Sequence, residues 1–176
     1  NGVIPEEWEK PENKSKLAQK DIDADWTKKN GERHFGYKDH VKCDADSKLI
    51  TNYSVTSASV HDSQRCLVFI GQEDEVLYAD SAYSGKPIAL ALPENCKNQI
   101  CEKGYRNSPL TSEQKMNNRR KSRIRCRIEQ IFGFMTGAMH GITIRSIGIT
   151  RAWMNIGITN LVYNFCRYSY LKRASA

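Results

Sequence analysis

With 176 residues, 39% of them hydrophobic, the chain is long enough for one domain with a real core and too short for a second full one. Its 27 Lys and Arg outnumber 20 Asp and Glu, and the resulting charge of +7 is local: Lys103 to Ile128 holds nine cations against one acid, Glu113, so +8 sits in that segment and the remainder sums to −1. This balance points to a localised site for a polyanion, while the lack of a signal-peptide pattern and of any run near the ~20 apolar residues of a membrane helix leads us to expect a soluble, cytoplasmic protein.

The six cysteines form no CxxC pair, which excludes a small disulfide scaffold. A zinc site from His40, Cys43, Cys96 and Cys101 lacks two pairs at finger spacing, so the cysteines read as small buried hydrophobes. The chain opens on Asn1 within a polar stretch and reads as a fragment of a longer protein.

Residues 1–33, rich in Lys and Glu with Pro5 and Pro11, read as a connecting or insertion segment with at most one short helix. A folded domain spans residues 34–172. "HFGYKDHVKCD" and "KLITNYSVTSAS", rich in Tyr, Val, Ile and Thr with rough alternation and separated by "ADS", predict an antiparallel hairpin. "HDSQRCLVFIGQ" predicts a helix. "EVLYADSAYSG" predicts a buried strand ending in Asp80, "KPIALALPEN" a helix, and "NQICEKG" a returning strand, an alternation that favours an α/β fold with a mixed sheet.

"TSEQKMNNRRKSRIRCRIEQIFGFMTGAM" opens with a capping box, Thr111 with Gln114. Ile124, Ile128, Ile131, Phe132 and Met135 make its core stripe. Glu129 borders that stripe one turn after Arg125, with Arg120, Arg123 and Arg127 on the opposite flank. "GITIRSIG" reads as strand or loop and "RAWMNIGITNLVYNFCRYSYLKR" as a closing amphipathic helix.

Two carboxylates, Asp80 and Glu129, stand where a strand end and a helix edge present them. Hard divalent cations such as Mg²⁺ or Mn²⁺ take such oxygen ligands, two metals about 4 Å apart drive phosphoryl transfer, and a neighbouring basic helix holds phosphates. On the residues alone a plainer reading stands beside this one: Asp80 as a helix N-cap, and Glu129 as the i,i+4 ion-pair partner of Arg125. Arg119, Arg120, Lys121, Arg123 and Arg127 read as phosphate contacts or as a solvated face. His61 and Asp62 read as supports of a metal site or, for Asp62, as a helix N-cap. Trp26, Lys28 and Lys29 read as DNA contacts or as a packed Trp beside solvated lysines, and Ser81 and Tyr83 as site lining or structure.

The blocks "DIDADWTKKNGERHFGYKDHVKCD", "VTSASVHDSQ", "YADSAYSG", "EKGYRNSPLTSEQKMNNRRKSRIRCRIEQIFG" and "RSIGITRAWMNIGITNLVYNFCR" resemble, in that order over about residues 12–168, the carboxyl-terminal part of a bacterial insertion-sequence transposase of the DDE type, insertion sequence family five. The resemblance implies a ribonuclease H-like mixed sheet flanked by helices, and an Asp, Asp, Glu triad holding two magnesium ions. Asp80 then matches the second Asp and Glu129 the Glu. It implies metal-dependent nicking of transposon ends and strand transfer into target DNA, with double-stranded DNA as partner, action as a homo-oligomer, and association with the nucleoid through DNA. The chain departs from the pattern in two ways. The first sheet strand with the first Asp has no counterpart, since Asp21, Asp23 and Asp25 belong to a block the family has in addition, and Gln130 stands where relatives often carry His. A chain lacking that Asp is expected to be inactive alone, and the competing expectation is a non-enzymatic DNA-binding remnant.

Overall fold

The expected hairpin is the centre of the structure, a computed structural model that describes residues 4–29, 31–141 and 143–175. Two 3₁₀ turns, Glu6–Trp8 and Pro11–Asn13, and a helix α1 (Lys14–Ala18) precede it. The polar segment therefore holds its one short helix, and it also holds a strand, β1 (Asp25–Lys29). β1 is stabilised by cross-strand pairing of Trp26 with Phe35 on the long strand β2 (Glu32–Cys43). Past Gly36, at φ 144 in backbone that favours glycine, β2 turns from β1 to β3 (Ile50–Ser57), pairing antiparallel from Tyr37↔Ser57 to a bulge at Lys42/Cys43.

Helix α2 (Ser63–Phe69) follows, then the short strand β4 (Val76–Leu77), helix α3 (Lys86–Ala91) and strand β5 (Lys97–Asn98), which pairs parallel with β4. The strand expected to be buried up to Asp80 is thus only two residues long, and Val76 and Asp80 are exposed. Backbone hydrogen bonds nevertheless carry the parallel contact onward, from Gln99 N to Leu77 O at 2.9 Å and from Cys101 N to Ala79 O at 3.0 Å.

The basic segment, read as a single helix, is two: α4 (Ser112–Arg125) and α5 (Arg127–Gly137), with Cys126 between them. The capping box of Thr111 and Gln114 is formed in both directions. "GITIRSIG" is a loop where described, and α6 (Ile149–Ala174) closes the fold by lying against β3 with Ala152, Ile156, Asn160 and Tyr163 buried.

The core is in two parts. Ile131 and Met135 of α5 meet Ile50 and Tyr163, with Val41 and Tyr53 around them. Cys66, Ile88 and Ile100 form the second cluster, with Leu77, Ala79 and Tyr83 packed on it. Polar clamps hold the β2–β3 turn between the last two helices: Asn164 brackets both backbone groups of Ile50 at 2.8 Å, Arg167 Nε donates to Ser47 O at 2.6 Å, and Lys48 Nζ donates to Gln130 Oε1 at 2.6 Å.

Candidate functional site

Asp80 sits one residue beyond the parallel ladder. Its Oδ1 accepts from Ser81 N at 2.6 Å and so caps the 3₁₀ turn Ser81–Tyr83, while the side chain stays exposed. The capping role and a ligand role are compatible, because the second carboxylate oxygen has lone pairs to spare.

α4 is fastened to the extension of β5 that runs beside Ala79. Asn118 Nδ2 donates to Glu102 O at 2.9 Å while its Oδ1 accepts from Glu102 N at 2.8 Å, Lys121 Nζ donates to Ile100 O at 2.9 Å, and Cys101 Sγ lies 3.8 Å from Ser122 Oγ. The helix that leads to Glu129 is therefore anchored on the ladder that ends at Asp80. Glu129 is exposed and bound to Arg125, Nη2 to Oε1 at 2.9 Å, in the i,i+4 geometry its spacing predicts. Among the described residues no group of three or more His, Cys, Asp or Glu is placed to hold a metal. Asp80 and Glu129 are both exposed carboxylates, the hard oxygen donors that divalent cations take.

The five basic residues split into two groups. Arg119, Arg120 and Arg123 are exposed. Lys121 turns inward to Ile100 O and lies 3.9 Å from Glu102, and Arg127 lies 3.4 Å from Asp46.

Beside Asp80, the Tyr83 hydroxyl is pushed up to about 12 by burial and then by the charges of Asp62, Cys66 and Asp80, so Asp62 and Asp80 both act on one ring. Asp62 occupies the position before α2 but accepts no capping hydrogen bond. The turn is satisfied instead by His61 Nδ1, 3.3 Å from Ser63 N and 2.8 Å from its hydroxyl. Asp62 faces Lys38 at 3.3 Å and His40 at 3.8 Å. Burial holds the His40 imidazole below its usual range; Asp62 opposes this, and Lys38 and Arg65 add to it. Its Nε2 lies 2.8 Å from Thr56 Oγ1, which itself donates to Ser57 O.

The aspartates at the amino end serve the scaffold. Asp21 Oδ1 accepts from Tyr37 Oη at 2.7 Å, Asp23 N at 3.1 Å and Ala24 N at 3.2 Å, its Oδ2 accepts from Gly148 N at 3.1 Å, and Asp23 Oδ2 accepts from Ile149 N at 3.0 Å. Trp26 is 50% exposed and tilted against Phe35 with centroids 5.2 Å apart, so it is not a packed core residue. Phe35, Trp8, Lys16 and Lys20, which share its cleft, were not singled out by sequence. Their signal, aromatics alternating with cations, is dispersed over two segments.

The chain has a mixed sheet-and-helix fold, and the family described as "Transposase DDE domain" matches residues 7–165; the chain belongs to it. A curated relative, "Transposase for insertion sequence element IS1106" of Neisseria meningitidis serogroup B, is 34% identical over 117 residues, 65% of this chain. The match spans 40% of that relative, so the chain covers less than half of its length. No solved structure matches. No helix among the described residues is long and apolar enough to cross a membrane.

Proposed function

We propose that this chain is the greater part of the catalytic domain of a DDE transposase, acting in DNA transposition by metal-dependent strand cleavage and strand transfer. The observation that carries this reading is the anchoring of the arginine-rich helix on the ladder that ends at Asp80. In this reading Asp80 and Glu129 hold a magnesium ion, which when bound supplies charge stabilisation for phosphoryl transfer. Arg125 fixes the Glu129 carboxylate and balances its charge. Arg119, Arg120 and Arg123 contact the DNA backbone, and Lys121 and Arg127, tied to internal acceptors, add to the field that attracts it.

The fold in this reading is ribonuclease H-like, with one strand and the first catalytic Asp contributed from outside these residues. What supports it is the strand pairing: among the described residues Tyr37–Cys43 pair only with β3, and β4 pairs only with β5. The notional boundary at residue 33 falls inside the β1–β2 hairpin, so residues 25–33 belong with the domain in this proposal.

The test uses the protein encoded by the complete open frame, with magnesium and a duplex bearing the flanking sequence of its gene. Asp80→Asn and Glu129→Gln are each expected to abolish cleavage while duplex binding persists. Arg123→Ala is expected to lower the slope of log affinity against log salt by about 1. A second reading, a DNA-binding remnant without catalysis, draws on the absence of a three-ligand group among the described residues. Cleavage by the unaltered protein would overturn it, and its absence at every metal concentration would overturn the first.

A further inference from the structure

Away from Asp80 and Glu129, the β1–β2 hairpin carries a surface that the catalytic reading does not use. Trp26 and Phe35 are paired across the strands, Lys28 and Arg33 are paired two residues further along, and the period of two in a strand puts all four side chains on one face. All four are exposed, Trp26 by 50% and Phe35 by 49%. The two rings open onto a cleft of about 590 Å³ that Trp8, Lys16, Lys20 and Asp21 also line. Lys20 Nζ stands 5.6 Å from the centre of the Trp8 ring. Among the described residues of the lining the carboxylate is Asp21, which already accepts from Tyr37 Oη and from the backbone of Asp23, Ala24 and Gly148.

We infer that this cleft binds unpaired nucleotides of a single DNA strand, with bases stacked on Trp26 and Phe35 and phosphates held by Lys16, Lys28 and Arg33. The inference rests on the transposase reading for its choice of DNA and on the hairpin face for the rest. Three physical points select this occupant. Exposed aromatic rings offer π-faces to any base, and a base still paired in a duplex has no free face to give. Cations interleaved with the rings match a polymer in which aromatic and anionic groups alternate. A purely apolar peptide would cover the rings but bring no anion to Lys16, Lys28 and Arg33, and duplex phosphates alone would leave two aromatic rings in water.

The experiment measures the affinity of the full chain for a labelled single strand of about 12 nucleotides and for a duplex of the same length, with Trp emission followed in parallel. Trp26→Ala is expected to weaken single-strand binding by roughly 5- to 100-fold and to leave duplex affinity unchanged. Trp26→Phe should restore most of the loss, and Trp26→Leu, apolar but without a ring, should not. Arg33→Ala is expected to lower the single-strand salt slope by about 0.7, and Phe35→Ala repeats the stacking test at a second ring. An unchanged single-strand affinity in both ring variants, or an equal fall for single strand and duplex, would overturn the inference. The two failures are distinguishable: a chain that binds duplex through Arg123 yet ignores Trp26 loses only this cleft, and a chain that binds neither form loses the DNA reading itself.

Discussion

Asp39 shows how much one side chain in the core can decide. It points from β2 at Asn160 of α6, whose Nδ2 donates to its Oδ1 at 3.3 Å, while Asp39 Oδ2 and Asn160 Oδ1 are both buried without a partner among the described residues. Two unsatisfied acceptors in one place are costly, and a proton on Asp39 would convert one of them into a donor. Burial accordingly raises the Asp39 carboxyl from its ordinary value to about 6, against a smaller opposing effect of the Asn160 hydrogen bond. A folded-state value above the unfolded one means that the stability it contributes is fully present below about pH 4 and is lost as pH rises through about 6. Asp39→Asn keeps the shape, removes the charge and supplies an amide donor. It is expected to stabilise the fold at pH 8 by on the order of 1–3 kcal/mol and to flatten the slope between pH 4 and 6, which urea unfolding at several pH values would read. An unchanged slope would mean that water reaches the pair.

At the scale of elements, the two long helical stretches are started by different means, and the difference explains what could be read in advance. The capping box of α4 is local, three residues apart, and Thr111 with Gln114 announced it. α6 begins at Gly148, which has no side chain to cap it, and the donors of Gly148 and Ile149 are met by Asp21 and Asp23 from the other end of the chain. The sequence "DID" shows local turn-forming carboxylates but not which distant helix they will meet. Burial opposes ionisation of Asp21, but the Tyr37 hydroxyl and the backbone N–H groups of Gly148, Ala24 and Asp23 outweigh it and hold the carboxyl below its usual range. Its contribution is therefore present above about pH 4 and lost as pH falls below that. Asp21→Ala is expected to destabilise the fold by about 1–2 kcal/mol at neutral pH, to steepen exchange of the Gly148 and Ile149 amides, and to remove part of the acid sensitivity. The break at Cys126 was hidden for a related reason. The apolar spacing runs through it unbroken, and only the backbone, at ψ −8, shows where α4 ends.

For the whole molecule, the site depends on a junction between two cores of unequal kind. Strands of eight and twelve residues, rich in β-branched and aromatic residues, and a 26-residue helix packed on them were legible because they are long. β4 and β5, two residues each, carry too little pattern to define their extent, and the ladder that positions Asp80 is made mostly by backbone beyond them. Nothing in the spacing of 80 and 129 tells how α4 docks, since the docking uses Asn118, Lys121 and Ser122, polar residues of a kind that usually face water. The first core, with Ile131 and Met135 fully buried, holds α5, α6 and the hairpin. The second, around Ile88 and Ile100, holds the segment that bears Asp80. Its contacts with the hairpin include the ion pair of Lys42 with Asp74 at 2.6 Å. Truncation of Ile88 should therefore loosen one part without the other. Each Ile→Ala change is expected to cost about 2–5 kcal/mol, but Ile88→Ala should speed hydrogen exchange in residues 63–101 while α6 stays protected. Ile131→Ala should speed exchange in both. Equal effects of the two changes on α6 would show that the cores unfold as one, and Asp80 would then be held by global stability and not by the second cluster alone.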